Sequence, residues 1–167
     1  VTGAINKSAD AYEVVFNALL KADEIKLDFQ TKSQLLSHPQ TTYERMGQIF
    51  LAAKRTDLAE KAFEIAAKSS KGNPASHSYN LANVYFQTDQ FEKALTELQS
   101  YLDRKLNSKG RSAYELLSSV LEKLKKESEL VPRLEKALKD DTRNNALAYF
   151  LADQYIRGKR LEDAKEL

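Results

Sequence analysis

The sequence has no cysteine and no tryptophan, and only 5 glycines and 3 prolines among its 167 residues. Without cysteine neither a disulfide nor a thiolate metal site can form, and the redox character of the compartment is left unread. So little glycine and proline excludes a chain of many strands joined by tight hairpins. No apolar stretch approaches the roughly 18 residues of a membrane span. The opening Val1-Thr2-Gly3-Ala4-Ile5-Asn6-Lys7 also lacks the basic-then-apolar layout of a secretory signal. An excess of one charge is missing too: Lys+Arg 26 against Asp+Glu 24 leaves +2, too little to draw the whole molecule to nucleic acid or anionic lipid. No G-x-x-x-x-G-K-[ST], G-x-G-x-x-G or G-x-S-x-G string occurs. His38 and His77 are the only histidines, and neither has a carboxylate at metal-ligand spacing. The expectation is a protein with no catalytic constellation, no metal site and no cofactor.

What is present is helical. Apolar residues make up 42% of the chain and fall three and four apart almost throughout, which predicts an all-α protein able to bury a core. One block recurs. Leu81-Ala82-Asn83-Val84-Tyr85 followed by Ala94 reads large apolar, small, two free residues, aromatic, then a small residue nine positions on. Met46, Gly47, Phe50 and Ala59 repeat it upstream, and Leu151, Ala152, Tyr155 and Ala164 downstream. A weaker copy holds Leu117, Ser118, Leu121, Leu130, Leu134 and Ala137, with Pro132 near the start of its second helix, which is expected to begin near Ser128. A period near 35 residues means a stacked array in which no unit buries its apolar face without a neighbour. Small residues at Gly47, Ala82, Ala59 and Ala94 let paired helices approach, and the aromatic and leucine residues fill the space between them.

Start signals divide the helices into pairs. Thr41 to Glu44, Ser112 to Glu115 and Asp89 to Glu92 carry the capping-box pattern, and Asn73-Pro74 offers a cap followed by a proline at the first helical position. Residues 40–167 divide into units of about 40–74, 75–110, 111–144 and a shortened 145–167. Residues 1–39 form a helical N-terminal segment, read either as a degenerate hairpin or as one long helix from about Ser8. The continuous stripe Val14, Val15, Ala18, Leu19, Ala22 and Ile25 favours the long helix, and His38-Pro39 ends the segment. The chain begins without methionine and stops inside a helical pattern, so it is expected to be a piece of a larger protein.

On these residues the chain resembles the tetratricopeptide repeat family, whose unit is a 34-residue helix-turn-helix with a large-small-x-x-aromatic first helix and a small-x-x-x-aromatic second helix. The resemblance implies a right-handed superhelix of antiparallel helix pairs, an α-solenoid whose first helices line a concave groove for an extended peptide or a partner helix. By register the groove positions are Thr41, Glu44 and Gln48; Tyr79, Asn80, Asn83 and Gln87; Ser112, Glu115, Ser119 and Glu122; and Tyr149, Asp153 and Arg157. Asn80 and Asn83 carry amides that can both donate to and accept from a peptide main chain, and Tyr79 and Tyr149 suit interface anchors. Against this stand duller roles: an asparagine bonded to its own backbone, or Tyr79 packed between units.

The family's chaperone-tail-binding members clamp a carboxylate with lysine, asparagine and arginine. The corresponding places here hold Glu44, Gln48, Asn80, Ser112 and Leu116, so only the asparagine survives, and a neutral to basic partner is expected over an acidic one. Arg104, Lys105, Lys109 and Arg111 form a basic loop, with Lys123, Lys125 and Lys126 nearby in sequence. Without aromatic residues interleaved with them on one face, a nucleic-acid site is not expected. The reading is a non-catalytic protein-interaction scaffold or adaptor. Its alternatives are a regulatory or recruiting arm of a larger enzyme or of a secretion or envelope-assembly complex, and self-association into a homo-oligomer through the terminal repeat.

Overall fold

A computed structural model of the protein describes residues 2–21, 27–69, 74–104 and 110–167. Among them are ten α-helices and no strand: α1 (Thr2–Leu20), α2 (Phe29–Leu35), α3 (Pro39–Ala52), α4 (Thr56–Lys68), α5 (Pro74–Gln87), α6 (Phe91–Asp103), α7 (Arg111–Lys123), α8 (Leu130–Asp140), α9 (Asn145–Arg157) and α10 (Leu161–Lys165). A 3-10 turn at Glu127–Glu129 precedes α8, so the expected start near Ser128 is a tight turn leading into the helix. Pro132 falls in the first turn of α8, where its missing N–H breaks no helical bond.

The repeat is written into the backbone as well as the side chains. Lys54, Asp89, Lys125 and Lys159, at spacings of 35, 36 and 34 residues, all have positive φ, of 59°, 56°, 58° and 60°. Lys54, Asp89 and Lys159 each sit in a three-residue turn between paired helices, and Lys125 sits in the three residues between α7 and the 3-10 turn that leads into α8. In each turn the following N–H, of Arg55, Gln90, Lys126 or Arg160, donates 2.8 Å to the carbonyl five residues back, on Phe50, Tyr85, Leu121 or Tyr155. This left-handed cap satisfies carbonyls that the helix end would otherwise leave open.

The caps expected from sequence are corrected by these bonds. α3 starts at Pro39, so Thr41 and Thr42 lie inside the helix, and the Thr42 hydroxyl donates instead to Leu35 O at 2.6 Å. α7 starts at Arg111 after Gly110, one residue before Ser112. Asp89 supplies the left-handed turn residue rather than a cap, and α6 starts at Phe91. In each case the turn or proline geometry fixed the helix start upstream or downstream of the acceptor side chain. Pro74 does open α5; Asn73 lies outside the described residues.

The chain divides into two compact units, Val1–Asn73 and Pro74–Leu167. In the first, α1 packs on α3 through Phe16, fully buried, with ring centroids 6.1 Å from Tyr43 and 5.4 Å from Phe50, both edge-on. Arg55, in the turn between α3 and α4, bonds Asp10 and Glu13 of α1. α1 runs from Thr2 only to Leu20, while the stripe residues Ala22 and Ile25 lie outside the described residues. The Asp28 carboxylate then accepts from Thr31 N at 2.9 Å and opens α2 as a second helix. The α3–α4 crossing is as close as the small residues demand: a Cβ on Gly47 would stand 2.5 Å from the Phe63 ring.

In the second unit α5 and α6 cross through Ala82 and Ala94, both fully buried. α7 and α8 approach less closely, because Leu130 occupies the place held by Ala59 and Ala94 in the other pairs. Leu117, Val120, Leu121, Leu134, Leu147, Leu151 and Tyr155 then fill one continuous core with α9. Asn144 ties the first helices together: its Oδ1 accepts from Leu147 N at 3.1 Å as the cap of α9, and its Nδ2 donates to the Tyr114 hydroxyl of α7 at 3.0 Å.

Candidate functional site

The first helices of the second unit lie in series, with α7 against both α5 and α9. Their charges are few. α5 carries no lysine, arginine, aspartate or glutamate, and α9 carries only Asp153 and Arg157. By contrast α8, a second helix, has five charged residues among its eleven. On α9, Tyr149 is 73% exposed and Ile156 is 54% exposed, two helical turns apart, with Asp153 between them.

Arg111, the first residue of α7, organises the polar part of this surface. Its Nε donates to Glu115 Oε1 at 2.9 Å, one turn along α7, and its NH1 reaches Asp153 Oδ2 of α9 at 2.8 Å. The guanidinium also lies 5.3 Å over the Phe150 ring. The hydrogen bonds it donates to Glu115 and Asp153 hold the Arg111 guanidinium above its ordinary range. Glu115 and Asp153 therefore point toward one cation, and α7 and α9 are bridged on their outer side.

The other expected positions behave differently. Asn83 is half-buried and its Nδ2 donates to Tyr79 O of its own helix at 2.9 Å. Asn80 is only 4% exposed, and its Nδ2 is buried with no hydrogen-bond partner. Tyr79 turns onto Tyr101 of α6, with centroids 6.1 Å apart. Gln87, Ser112, Glu122 and Arg157 are exposed and Ser119 is half-buried. Thr41, Glu44 and Gln48 belong to the first unit, where Glu44 accepts from Gln40 Nε2 at 3.2 Å and Thr41 and Gln48 are exposed. Lys105 and Lys109 of the basic loop lie outside the described residues, and Arg111 of that loop is engaged as above.

Two residues that matter here were not singled out for this surface in the sequence. Ile156 was legible as the position seven beyond Tyr149, and Arg111 as the partner of Glu115 four residues on. A cleft of about 670 Å³ lies between α6 and α8, floored by Leu102, Pro132 and Ala137, and none of the expected groove residues lines it. Arg133 spans it, donating to Glu129 at 2.6 Å and to Gln99 at 2.8 Å. Among the described residues no group of three metal-ligating side chains comes together and no helix is long and apolar enough to cross a membrane.

Comparison with known families matches residues 44–126 to the family model described as Tetratricopeptide repeat. Comparisons with curated proteins and with solved structures found no match.

Proposed function

The chain belongs to the tetratricopeptide repeat family through residues 44–126, and from that premise we propose that the exposed sides of α7 and α9, continued by α5, hold a peptide or partner helix. Repeats of this family generally mediate protein–protein interaction and are typically non-catalytic. The observation that carries the reading is the pair Tyr149 and Ile156, large apolar side chains left more than half exposed on a helix with only two charges. Exposed aromatic and aliphatic groups on a rigid helix lose little entropy on binding, which suits them as anchors. The charged groups on these helices, Glu115, Glu122 and Asp153 against Arg111, Lys123 and Arg157, are equal in number, which favours a neutral partner over a strongly acidic one.

A library of displayed peptides selected on the immobilised chain supplies a ligand for the test. Tyr149→Ala and Ile156→Ser should each weaken the selected peptide by about tenfold, roughly the 1–2 kcal/mol of an interface anchor. Undiminished binding by the double variant would overturn this placement of the site.

A further inference from the structure

The charged residues of α5, α7 and α9 number six: Arg111, Glu115, Glu122, Lys123, Asp153 and Arg157. Three are cations and three are carboxylates, so the surface these helices present is balanced. The balance is not evenly spread, because two of the three carboxylates are bound to one guanidinium, Glu115 at 2.9 Å and Asp153 at 2.8 Å. That guanidinium sits beside the exposed Tyr149 and Ile156 stripe, since Asp153 lies between those two residues on α9.

We propose that Arg111 is the residue that sets the charge selectivity of this face: by occupying Glu115 and Asp153 it turns an anionic surface into one fitted to an uncharged, apolar segment. The inference rests on the reading of α7 and α9 as a binding face and names its preferred partner, a segment with aliphatic and aromatic side chains and no net charge. A carboxylate already holding a guanidinium has little left to offer a partner's lysine, because the second cation meets the first. The guanidinium also lies 5.3 Å over the Phe150 ring and its donors already meet two carboxylates, so an acidic segment is not favoured in exchange. Salt should accordingly have little effect on binding, in contrast with a surface of unpaired charges.

The test has one arm without a partner and one with. Relaxation enhancement of the Glu115 and Tyr149 to Ile156 amides is measured with a cationic and a neutral nitroxide co-solute, in the wild type, Arg111→Ala and Arg111→Lys. The cationic-to-neutral ratio should rise about twofold in Arg111→Ala, fall back in Arg111→Lys and collapse in about 0.5 M salt. The converse variant, Glu115→Gln with Asp153→Asn, should move the ratio the other way, and it serves where Arg111→Ala does not fold. A ratio unchanged in both folded variants overturns the proposal. In the second arm the library-selected peptide and its copy with two serines replaced by lysine are titrated into the same proteins. The wild type should bind the two within about threefold, and Arg111→Ala should favour the lysine copy by about tenfold at low salt. If Arg111→Ala shows no preference, the role of Arg111 fails while the face stands. If the selected peptide binds elsewhere on the chain, the face fails while the co-solute ratio still decides Arg111.

Discussion

Tyr114 and Asn144 show how one polar pair can join two repeats without exposing either. Burial pushes the Tyr114 hydroxyl up to about 12, although the Asn144 amide that donates to it pulls the other way. Burial and the neighbouring Glu135 carboxylate raise Tyr155, whose hydroxyl donates to Glu135 at 2.7 Å, to about 12 as well. A tyrosine near 10 in the unfolded chain and near 12 in the folded one favours folding while it stays neutral. Its contribution is complete below pH 10 and is lost as pH rises through 12. Unfolding free energy measured by denaturant titration should therefore fall between pH 10 and 12, by on the order of 2 kcal/mol for the buried Tyr114. Tyr114→Phe should flatten that limb, and at neutral pH should cost about 1–3 kcal/mol because Asn144 loses its acceptor in a buried place. At the same scale Asn83 changes its weight: with its Nδ2 already given to Tyr79 O, Asn83→Ala should weaken a bound peptide less than Ile156→Ser does.

Between helices the determining feature is how closely a pair can cross. Gly47→Ala places a Cβ within 2.5 Å of the buried Phe63 ring, and should cost about 1–3 kcal/mol in thermal or denaturant unfolding through overpacking. The turns store a second, recurrent strain, since Lys54, Lys125 and Lys159 adopt a backbone region that a Cβ disfavours. Glycine at Lys125 should raise stability by about 0.5–1 kcal/mol, the relief of that strain less the greater entropy of an unfolded glycine. The gain at Asp89 should be smaller, because aspartate tolerates this conformation better than lysine does. These turns explain what the sequence concealed. Spacing of Met46, Leu81, Leu117 and Leu151 made the repeat readable, because large and small side chains at a crossing are chosen by packing. The turn residues carry no such mark: three lysines and an aspartate adopt the same φ because five-residue-back bonds from the next N–H hold them there. A capping pattern read at Asp89 to Glu92 therefore named the right place and the wrong device.

Across the molecule, burial separates two kinds of groove position that one register had grouped together. Asn80 and Tyr79 were both read as groove positions of α5, yet Asn80 is buried and Tyr79 packs on Tyr101 of α6. Tyr149 holds the place on α9 that Tyr79 holds on α5, and it remains 73% exposed. Register thus placed Tyr79 and Tyr149 at equivalent positions, and neighbouring helices decided how much of each is accessible. Charge behaved likewise: Glu115 and Asp153 were visible as acids, but their common attachment to Arg111 follows from the side-by-side placement of α7 and α9, which a linear sequence does not display. The central claim is that the outer side of these two helices is where a partner binds. Chemical-shift mapping of the isotopically labelled chain against the library-selected peptide tests it most directly. Perturbations should concentrate on Arg111 to Glu122 and on Tyr149 to Arg157, and a map centred instead on α6 and α8, around Gln99, Arg133 and Lys136, would contradict it.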